Sequence, residues 1–528
     1  MTTAGVPDVT VVVAVYNTMP YLTECLNSLV DQSIGLDRLQ VVAVDDGSTD
    51  GSAKELARFA TLHPGVFTVI TQANSGGPAA PSNRGLDAAT GRYVFFVGSD
   101  DYLGTEALER MVGAADEHGT DVVVGKMVGV NGRWVPQAVF ERTRHDATLR
   151  NCPLPWALSN TKLFRRALIE EHGLRYPEDL PILSDQPFTL EACFRAAGIS
   201  ILADYDYYYA VRRGDEGNVT YRGNLEDRLA GTERIMRLTE RFTHTTDERY
   251  GLNRRHLTTE MSHVLGAGLL KAGPETAERI VTRARPLLAD FATDALLGRL
   301  PLQDRVHLML AKAGAADALL AALRFEDEHG TDPDALPLRF ADGRAHIAYP
   351  FVGDPDFADV AAQVDRTAQV LRSLGGSAAL VPGGTPALQV TASSPHADYQ
   401  DLVTGSSLEW VRVSKGEGGP GGSTPAVRFT ADGGGVRLAA RVPLDGLLPY
   451  APGKWSLRLH LATATGPHRV AVTAVSGTAT LRVRRGARFL RLTATAQPDG
   501  LLTLVISPIR LSRIIAQRLR RLRAIGRK

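Results

Sequence analysis

Two adjacent carboxylates, Asp100 and Asp101, follow an apolar run that ends at Val97, with Gly98 and Ser99 between. The run predicts a buried strand, so both carboxylates are expected at the carboxyl end of that strand. Oxygen ligands at such a position suit Mg²⁺ or Mn²⁺ held by one or two carboxylates and by substrate phosphates. On the residues alone, a pair of polar caps before the next helix explains them equally well.

A second acidic pair, Asp45 and Asp46, ends the apolar run 39–46. Carboxylates there can accept hydrogen bonds from a sugar hydroxyl or from a base N–H group. The following Gly47 and Ser48 are also typical of a strand-to-helix turn in which Ser48 or Asp50 caps the helix. The spacing alone favours the turn.

Asp185 is a third candidate, just before the helical pattern 187–198. The helix dipole stabilises a carboxylate at a helix start as the anion, which suits a general base that deprotonates a hydroxyl group. Helix capping is the commoner role for such a residue.

Two loops offer sites for anions. Residues 74–78, Asn-Ser-Gly-Gly-Pro, bring backbone close to a ligand, but neither a dinucleotide fingerprint nor a P-loop motif occurs there. Arg212 and Arg213 follow an aromatic run at 207–209, and their forked donors match phosphate oxygens. Without further context a surface loop is the favoured interpretation of the arginine pair.

These side chains require a sheet that places them at one edge. Residues 1–224 alternate short apolar runs with helical patterns, which predicts an α/β domain with a largely parallel sheet covered on both faces. Such a sheet binds ligands at the carboxyl ends of its strands. The predicted strands are 9–15, 39–46 and 67–72, and the predicted helices are 21–32 and 52–63.

The remaining chain changes character three times. Residues 225–330 carry helical spacing and predict a helical linker domain without evident chemistry. Residues 331–425 and 426–508 alternate with period two, which predicts two successive β-sandwich domains of the immunoglobulin-like kind. Residues 509–528 predict a basic amphipathic helix that binds an anionic membrane surface, or that packs on its own domain or on a partner subunit.

Composition excludes several classes of protein. The 528 residues are 44% hydrophobic and 22% charged with a net charge of +1, so a globally basic nucleic-acid binder is not expected. Three scattered cysteines predict neither a disulfide framework nor a zinc site. The N-terminus lacks a basic signal-peptide region, and no run approaches the length of a membrane span, so the predicted location is cytoplasmic.

Taken together, three motifs resemble the family 2 glycosyltransferases over roughly residues 8–220. They are VVVAVYN (11–17), VDDGSTDGS (44–52) and NSGGPAAPSNRGLDAATGRYVFFVGSDDYL (74–103). The resemblance implies a GT-A nucleotide-sugar-binding fold, a UDP-sugar donor and a divalent cation, Mn²⁺ or Mg²⁺.

The resemblance also implies roles at matching positions. The donor pocket would be formed by Ala14, Tyr16, Asp46, Asn74, Asn83, Arg84, Ser99, Asp100 and Asp101. Within that pocket Asp100 would hold the metal. Asp185 would be the catalytic base, and Arg212 and Arg213 would close over the diphosphate.

The sequence departs from the family pattern in four places, one of which is a pair of residues. Ala14 replaces a proline, Asn83 and Arg84 shift the usual Arg-Asn pair, and Ser184 stands where glutamate is common. Gly98 replaces the first carboxylate of the metal motif. We therefore expect fewer protein ligands to the metal, and metal binding that depends on UDP.

The domain order most resembles the bacterial wall teichoic acid β-N-acetylglucosaminyltransferases, which form trimers through their C-terminal regions. This resemblance implies inverting transfer of a sugar to an anionic cell-wall polymer by a homo-oligomer, such as a trimer, at the inner face of the membrane. The alternatives are a nucleotide-sugar hydrolase or nucleotidyltransferase, and a catalytically degenerate scaffold that binds the polymer. The sequence does not identify the sugar.

Overall fold

The computed structural model divides the chain into two compact units, Met1–Arg324 and Phe325–Lys528. It describes residues 6–214, 223–413, 423–424, 429–432, 435–464, 466–471, 474–475, 479–496 and 502–509. The helix predicted for 509–528 lies outside the described residues, apart from its first position, and stays a prediction.

The N-terminal part of the first unit alternates strands and helices, as predicted. Its strands are β1 (Val9–Val15), β2 (Leu39–Asp45), β3 (Phe67–Thr71), β4 (Tyr93–Gly98), β5 (Tyr102–Leu103), β6 (Val122–Gly125), β7 (Met127–Val130), β8 (Leu163–Arg165), β9 (Ile199–Leu202) and β10 (Tyr208–Val211). Its helices are α1 (Tyr21–Val30), α2 (Ser52–Leu62), α3 (Ala79–Asp87), α4 (Ala107–His118), α5 (Arg166–Glu171) and α6 (Asp185–Arg195).

The main sheet has the order β3-β2-β1-β4-β8-β6-β9, and β5, β10 and β7 form a smaller sheet. Strands β1 to β4 are parallel neighbours, and their apolar side chains are largely buried because helices cover both faces. Val15 pairs with Asp45, and Ala14 pairs with both Val44 and Gly98. The loops after β1, β2 and β4 therefore meet at one edge of the sheet.

The helical domain predicted after residue 224 is present in the first unit. Its helices are α7 (Leu225–Phe242), α8 (Thr246–Arg255), α9 (Ser262–Val264), α10 (Ala267–Ala272), α11 (Pro274–Phe291), α12 (Asp294–Leu297), α13 (Leu302–Ala313) and α14 (Ala316–His329), the last of which begins in the first unit and ends in the second. A π-helical turn, His256–Met261, joins α8 to α9. Among the described residues, no helix is both long enough and apolar enough to span a membrane.

The second unit contains two short helices and a set of mostly antiparallel strands. The helices are α15 (Ala358–Gln363) and α16 (Thr367–Arg372). The strands are β11 (Leu338–Ala341), β12 (Arg344–Ile347), β13 (Gly375–Val381), β14 (Ala387–Ser394), β15 (Val403–Arg412), β16 (Ser423–Thr424), β17 (Phe429–Asp432), β18 (Gly435–Pro443), β19 (Gly453–Thr463), β20 (Gly466–Ala471), β21 (Ala474–Val475), β22 (Thr480–Arg485), β23 (Arg488–Ala496) and β24 (Leu502–Pro508).

The predicted division of this unit at residue 425 is wrong. One sheet has the order β17-β18-β14-β13-β21 and the other β16-β15-β19-β24-β23-β22, so each sheet takes strands from both sides of residue 425. Strand β14 pairs with β18, and β15 pairs with β19. Apolar residues of both sheets share one core, which includes Val390 of the first sheet and Trp455 and Leu504 of the second. Period-two alternation predicts strands but not their partners, which accounts for the error.

Candidate active site

The first acidic loop divides its two carboxylates between two tasks. Asp45 accepts a hydrogen bond from Ser48 N (3.2 Å) and closes the turn after β2. Asp46, which is 3% exposed, accepts from Gln72 Nε2 (2.7 Å), Ser75 N (3.0 Å) and Ser75 Oγ (3.0 Å). The amide of Asn74 donates to the backbone oxygen of Asp46 (3.1 Å). Asp46 and Asn74, two predicted pocket residues, therefore lie side by side.

The helix cap predicted in this loop is wrong. Helix α2 follows Gly51, which lies in the left-handed region (φ 102°) and supplies no side chain. Asp50 instead accepts from Ser52 N (3.0 Å) and from Met19 N (2.8 Å) in the loop after β1. Asp50 consequently ties two loops of the sheet edge together.

The loop after β1 forms the adjoining part of the edge. Ala14 is half-buried, and Tyr16 is 44% exposed and accessible to a ligand. The backbone oxygen of Asn17 accepts a hydrogen bond from the guanidinium of Arg213 (3.1 Å), which is buried and lies 5.5 Å from the ring centroid of Tyr21. The segment after β10 is thereby attached to the pocket at Arg213.

Arg212 is exposed beside it, and its backbone N–H donates to Val130 (3.2 Å). The two predicted arginines therefore differ. Arg213 is buried and holds the loop through a backbone contact, whereas Arg212 is exposed.

The loop after β4 is organised around Asp101. Its carboxylate accepts hydrogen bonds from the hydroxyl of Tyr208 and from Val211 N (2.7 Å), and the Tyr208 hydroxyl also accepts from Gly98 N (3.1 Å). Burial, and then the negative charge of Asp100, raises the pKa of Asp101 to about 7. Tyr208, which the sequence interpretation placed only in an aromatic edge strand, thus fixes this loop.

The position of Asp101 explains Gly98. A Cβ atom at residue 98 would lie 2.7 Å from Asp101 Oδ2 and 3.2 Å from Asp100 Oδ1. The space that a first carboxylate of the metal motif would need is therefore filled by the two carboxylates that follow.

The donor set near Asp100 fits a weakly held divalent cation. Asp100 is half-buried, Ser99 is buried beside it, and the carboxylate of Asp101 already accepts two hydrogen bonds. Among the described residues, no group of three or more His, Cys, Asp or Glu side chains could hold a metal. One hard carboxylate together with substrate phosphates is a common Mg²⁺ or Mn²⁺ arrangement, so Asp100 fits the predicted role.

Asn83 and Arg84 do not lie together in the pocket. Asn83 is 8% exposed, and its amide donates to Tyr176 O (2.9 Å) and Glu178 Oε1 (2.8 Å) while its oxygen accepts from Tyr176 N (2.9 Å). The amide group of Asn83 is thus hydrogen-bonded within the protein, and its predicted contact with the nucleotide stays a prediction. Arg84 is exposed on α3.

A small cavity of about 120 Å³ opens between the loop after β3 and the segment that Asn83 holds. Ser75 and Gly77 line one side, and Glu178 and Pro181 line the other. A Cβ atom at Gly77 would lie 2.8 Å from the Pro181 oxygen, so a glycine is required there. The cavity is too small for a whole nucleotide sugar and forms one corner of the site.

The candidate base begins α6. Asp185 is its first residue, and Leu183 two residues earlier has left-handed backbone (φ 59°), a strained conformation for a leucine. Phe188, one turn into α6, stacks on Tyr176 with ring centroids 4.3 Å apart and packs edge-on against Phe96 of β4 (5.6 Å). This aromatic cluster joins the start of α6 to the strand that precedes the Asp100 loop.

Burial raises the pKa of Asp185 to about 6, against the opposing charge of Lys162. Lys162 is 1% exposed, its ammonium donates to Ser159 O (2.5 Å), and burial lowers its pKa to about 8. A carboxylate in this environment can accept a proton near neutral pH, which fits the predicted base. Lys162 was missed from the sequence, where a single lysine before a short apolar run gives no signal.

The chain is similar to known protein families and to solved structures. Residues 10–173 match the model described as glycosyl transferase family 2, and residues 226–323 match the glycosyl transferase TarS linker domain. A crystal structure of Staphylococcus aureus TarS residues 1–349 in complex with UDP-GlcNAc is 30% identical, with a TM-score of 0.56, and the match covers 66% of this chain and 98% of that one.

The chain belongs to glycosyltransferase family 2.

Two curated relatives of this family 2 glycosyltransferase are named for the reaction that they catalyse. A poly(ribitol-phosphate) beta-glucosyltransferase of Bacillus spizizenii is 39% identical over 40% of this chain and 34% of the relative. The poly(ribitol-phosphate) beta-N-acetylglucosaminyltransferase TarS of Staphylococcus aureus is 42% identical over 39% of this chain and 36% of the relative. The chain thus spans about a third of the length of the curated relatives it matches.

Proposed function

We propose that this protein transfers a sugar from a UDP-sugar to a hydroxyl group of a poly(ribitol phosphate) teichoic acid, with inversion at the anomeric carbon. The observation that carries the proposal is the half-buried Asp185, whose raised pKa suits a base and whose helix packs on the strand before the Asp100 loop. The relatives named for poly(ribitol phosphate) support the acceptor. The TarS complex with UDP-GlcNAc supports the donor.

In the proposed reaction, the Asp185 carboxylate removes the proton of the acceptor hydroxyl as its oxygen attacks the anomeric carbon. The new glycosidic bond forms on one face of the sugar while the bond to UDP breaks on the other. UDP leaves with the bonding electron pair, and Asp185 then releases its proton to solvent. Asp46, Asn74 and Tyr16 would hold the nucleoside, and Ala14 leaves room for its base.

A divalent cation, Mg²⁺ or Mn²⁺, would supply charge neutralisation of the diphosphate when bound. Asp100 would hold it, and Asp101 would keep the loop in place through Tyr208. Arg212 would add a forked donor to the diphosphate oxygens, and Arg213 would keep the segment that carries Arg212 closed over the pocket through Asn17.

We further propose that the two sheets of the second unit form an immunoglobulin-like sandwich that mediates assembly of a homo-oligomer such as a trimer. The basic residues 509–528 would bind the anionic inner surface of the membrane, near the polymer. Both proposals rest on the resemblance and on the sequence pattern of the tail.

The test is a panel of UDP-GlcNAc, UDP-glucose and UDP-galactose, each supplied with poly(ribitol phosphate) and Mn²⁺, with UDP release and product mass as the readouts. The proposal expects one donor to give sugar linked to polymer. Free sugar without linkage would instead indicate a hydrolase. Failure to bind UDP with Mn²⁺ in calorimetry would indicate a degenerate scaffold.

A further inference from the structure

The residue after the candidate base is bound by the helical linker domain. Gln186 is 8% exposed, and its amide donates to Glu260 Oε1 (2.8 Å) while its oxygen accepts from Arg255 NH1 (2.8 Å). Arg255 and Glu260 also form an ion pair of 2.8 Å, with side chains only 6% and 8% exposed. Both polar ends of Gln186 are therefore held by one buried pair from outside the α/β domain.

The hydrogen bonds of Arg255 continue within the linker domain through the ring of His256. Burial, and then the charge of Arg255, lowers the pKa of His256 well below its usual value, so this fully buried ring is neutral. Its Nδ1 faces Arg255 NH1 (3.4 Å), so Nδ1 is the acceptor and Nε2–H donates to Thr239 Oγ1 (2.9 Å) on α7. The Thr239 hydroxyl in turn donates to the oxygen of Ile235 (3.0 Å). The chain of donors runs without conflict from Arg255 into α7.

The backbone between the two charged residues is adapted to this contact. Arg255 ends α8, and Glu260 lies in the π-helical turn His256–Met261. The wider turn bonds residues five apart, so it brings Arg255 and Glu260 onto neighbouring parts of one face. π-Helical turns are rare and often occur at functional sites.

The same linker helices approach the loop before the base. A Cβ atom at Gly231 of α7 would lie 2.9 Å from Leu183 Cβ, the residue with strained left-handed backbone. The linker therefore packs closely against Leu183, before Asp185, and forms hydrogen bonds to Gln186, after it.

We propose that Arg255 and Glu260 are positioning residues for the glycosyl transfer: through Gln186 they hold the first turn of α6 and place the Asp185 carboxylate against the acceptor hydroxyl. The linker domain is then part of the active site, not a spacer. This inference rests on the proposed role of Asp185 as the base.

The charged groups around Asp185 give the inference a specific readout. Lys162 and Arg255 lower the pKa of Asp185, whereas Glu260 and above all burial raise it. Tyr176 and Cys193 also lie in this environment, and burial raises the pKa of each so that both are neutral near pH 7. Removing the charge of Glu260 removes one of the contributions that raise the pKa of Asp185, so this pKa should fall.

The experiment compares Glu260→Gln with the double variant Arg255→Met/Glu260→Gln in the full chain. Glu260→Gln should reduce kcat about tenfold, because a small misplacement of a reacting group is costly, while the Kd for UDP stays within about twofold. Its acid limb of kcat against pH should move to lower pH. The double variant leaves no unpaired buried charge and so guards against misfolding. It should show the loss in kcat with an acid limb closer to that of the unaltered protein.

Two further variants bracket the result. Arg255→Lys keeps the charge but loses the fork that reaches both Gln186 and Glu260, so it should retain an intermediate kcat. Arg279→Met removes an exposed linker ion pair with Glu226 (3.1 Å) and should leave kcat and its pH profile unchanged. Hydrogen–deuterium exchange at residues 185–189, which needs no acceptor, should rise in Glu260→Gln and not in Arg279→Met.

The outcomes separate this inference from the proposed function. Unchanged exchange at residues 185–189 in both Glu260→Gln and Arg255→Met/Glu260→Gln would overturn the positioning role, whatever the enzyme transfers. An unchanged kcat and acid limb in Glu260→Gln, beside an inactive Asp185→Asn, would also overturn it. An unaltered protein that transfers no sugar to polymer, yet shows the expected exchange, would overturn the proposed function and leave the positioning of α6 standing.

Discussion

Two carboxylates of the site, Asp46 and Asp185, are held in opposite ways. Asp46 accepts three direct hydrogen bonds from the loop after β3, so its negative charge is compensated at the oxygens. Asp185 is half-buried, desolvation raises its pKa to about 6 against the opposing charge of Lys162, and its helix is fixed through the neighbouring Gln186.

The difference matches two chemical tasks. A carboxylate that binds a ligand must stay ionised and fixed, and hydrogen bonds to the charged form achieve both. A carboxylate that accepts a proton must not be stabilised too strongly as the anion, and burial prevents this. Donor binding should therefore depend on Asp46 and the transfer step on Asp185.

The largest expected effect is on the transfer step. Asp185→Asn removes the base, so kcat should fall about 10³-fold, within the usual range for general base catalysis. The Kd for UDP should change little. Asp179→Asn, which alters an exposed nearby carboxylate paired with Arg234 (2.6 Å), is the control. Full transfer activity in Asp185→Asn would remove the base assignment.

Donor binding should respond to Asp46 and not to its neighbour. Asp46→Asn loses the charge-assisted hydrogen bonds to Gln72 and Ser75, so the Kd for UDP should rise by about tenfold or more. Asp45→Asn, whose carboxylate holds the turn at Ser48, should change this Kd by less than about threefold. Calorimetry with UDP and Mn²⁺ measures both, and equal losses would erase the contrast between the two residues.

The pH profile tests the base without a substitution. The pKa of Asp185 is raised, so its carboxyl group takes up a proton as the pH falls through about 6 and can no longer act as a base. At saturating donor, kcat at pH 5 should be about tenfold below its plateau above pH 7. A flat profile between pH 5 and 7 would show that proton transfer to Asp185 does not limit the rate.

Restoring the family carboxylate at position 98 should weaken the site. Gly98→Asp and Gly98→Ala both place a Cβ 2.7 Å from Asp101 Oδ2, so Asp101 must move and UDP binding with Mn²⁺ should fall about fivefold, equivalent to roughly 1 kcal/mol. Gly113→Ala is the control, because nothing lies within 4 Å of its added Cβ. Tighter metal binding by Gly98→Asp would show that the loop adapts.

The smallest effect on donor binding is expected at Asn83. Asn83→Ala leaves the backbone of Tyr176 unpaired, so the free energy of unfolding should fall by about 1–3 kcal/mol. The Kd for UDP should stay within about twofold of the unaltered value. Chemical denaturation and calorimetry measure the two quantities, with exposed Arg84→Ala as the stability control. A large loss of UDP affinity without a loss of stability would show that Asn83 contacts the nucleotide.

The sequence predicted the sheet edge well, because each part of it depends on local pattern. The run 9–15 became β1 with the same bounds, since a continuous apolar stretch before Tyr16 and Asn17 has few other outcomes. Asp46 and Asp100 were placed at strand ends for the same reason. Parallel pairing of β1 with β2 and β4 then brought them together.

The parts that were missed depend on contacts between distant residues. The role of Gly98 is set by the carboxylate of Asp101, which Tyr208 fixes from β10. Asn83 matched a family position, yet its amide is used by Tyr176, 93 residues away in sequence. Arg255 and Glu260 belonged to a region judged free of chemistry, because helical periodicity shows which side chains are buried and not what a buried ion pair contacts.

The interleaved strands of the second unit also govern how it tolerates cleavage. A cut in the backbone between Arg412 and Ser423 would give two pieces that each contain strands of both sheets. Pairing of β14 with β18 and of β15 with β19 would then hold the pieces together without a covalent link. The described strands on the two sides of this segment thus belong to one folded body with a shared core.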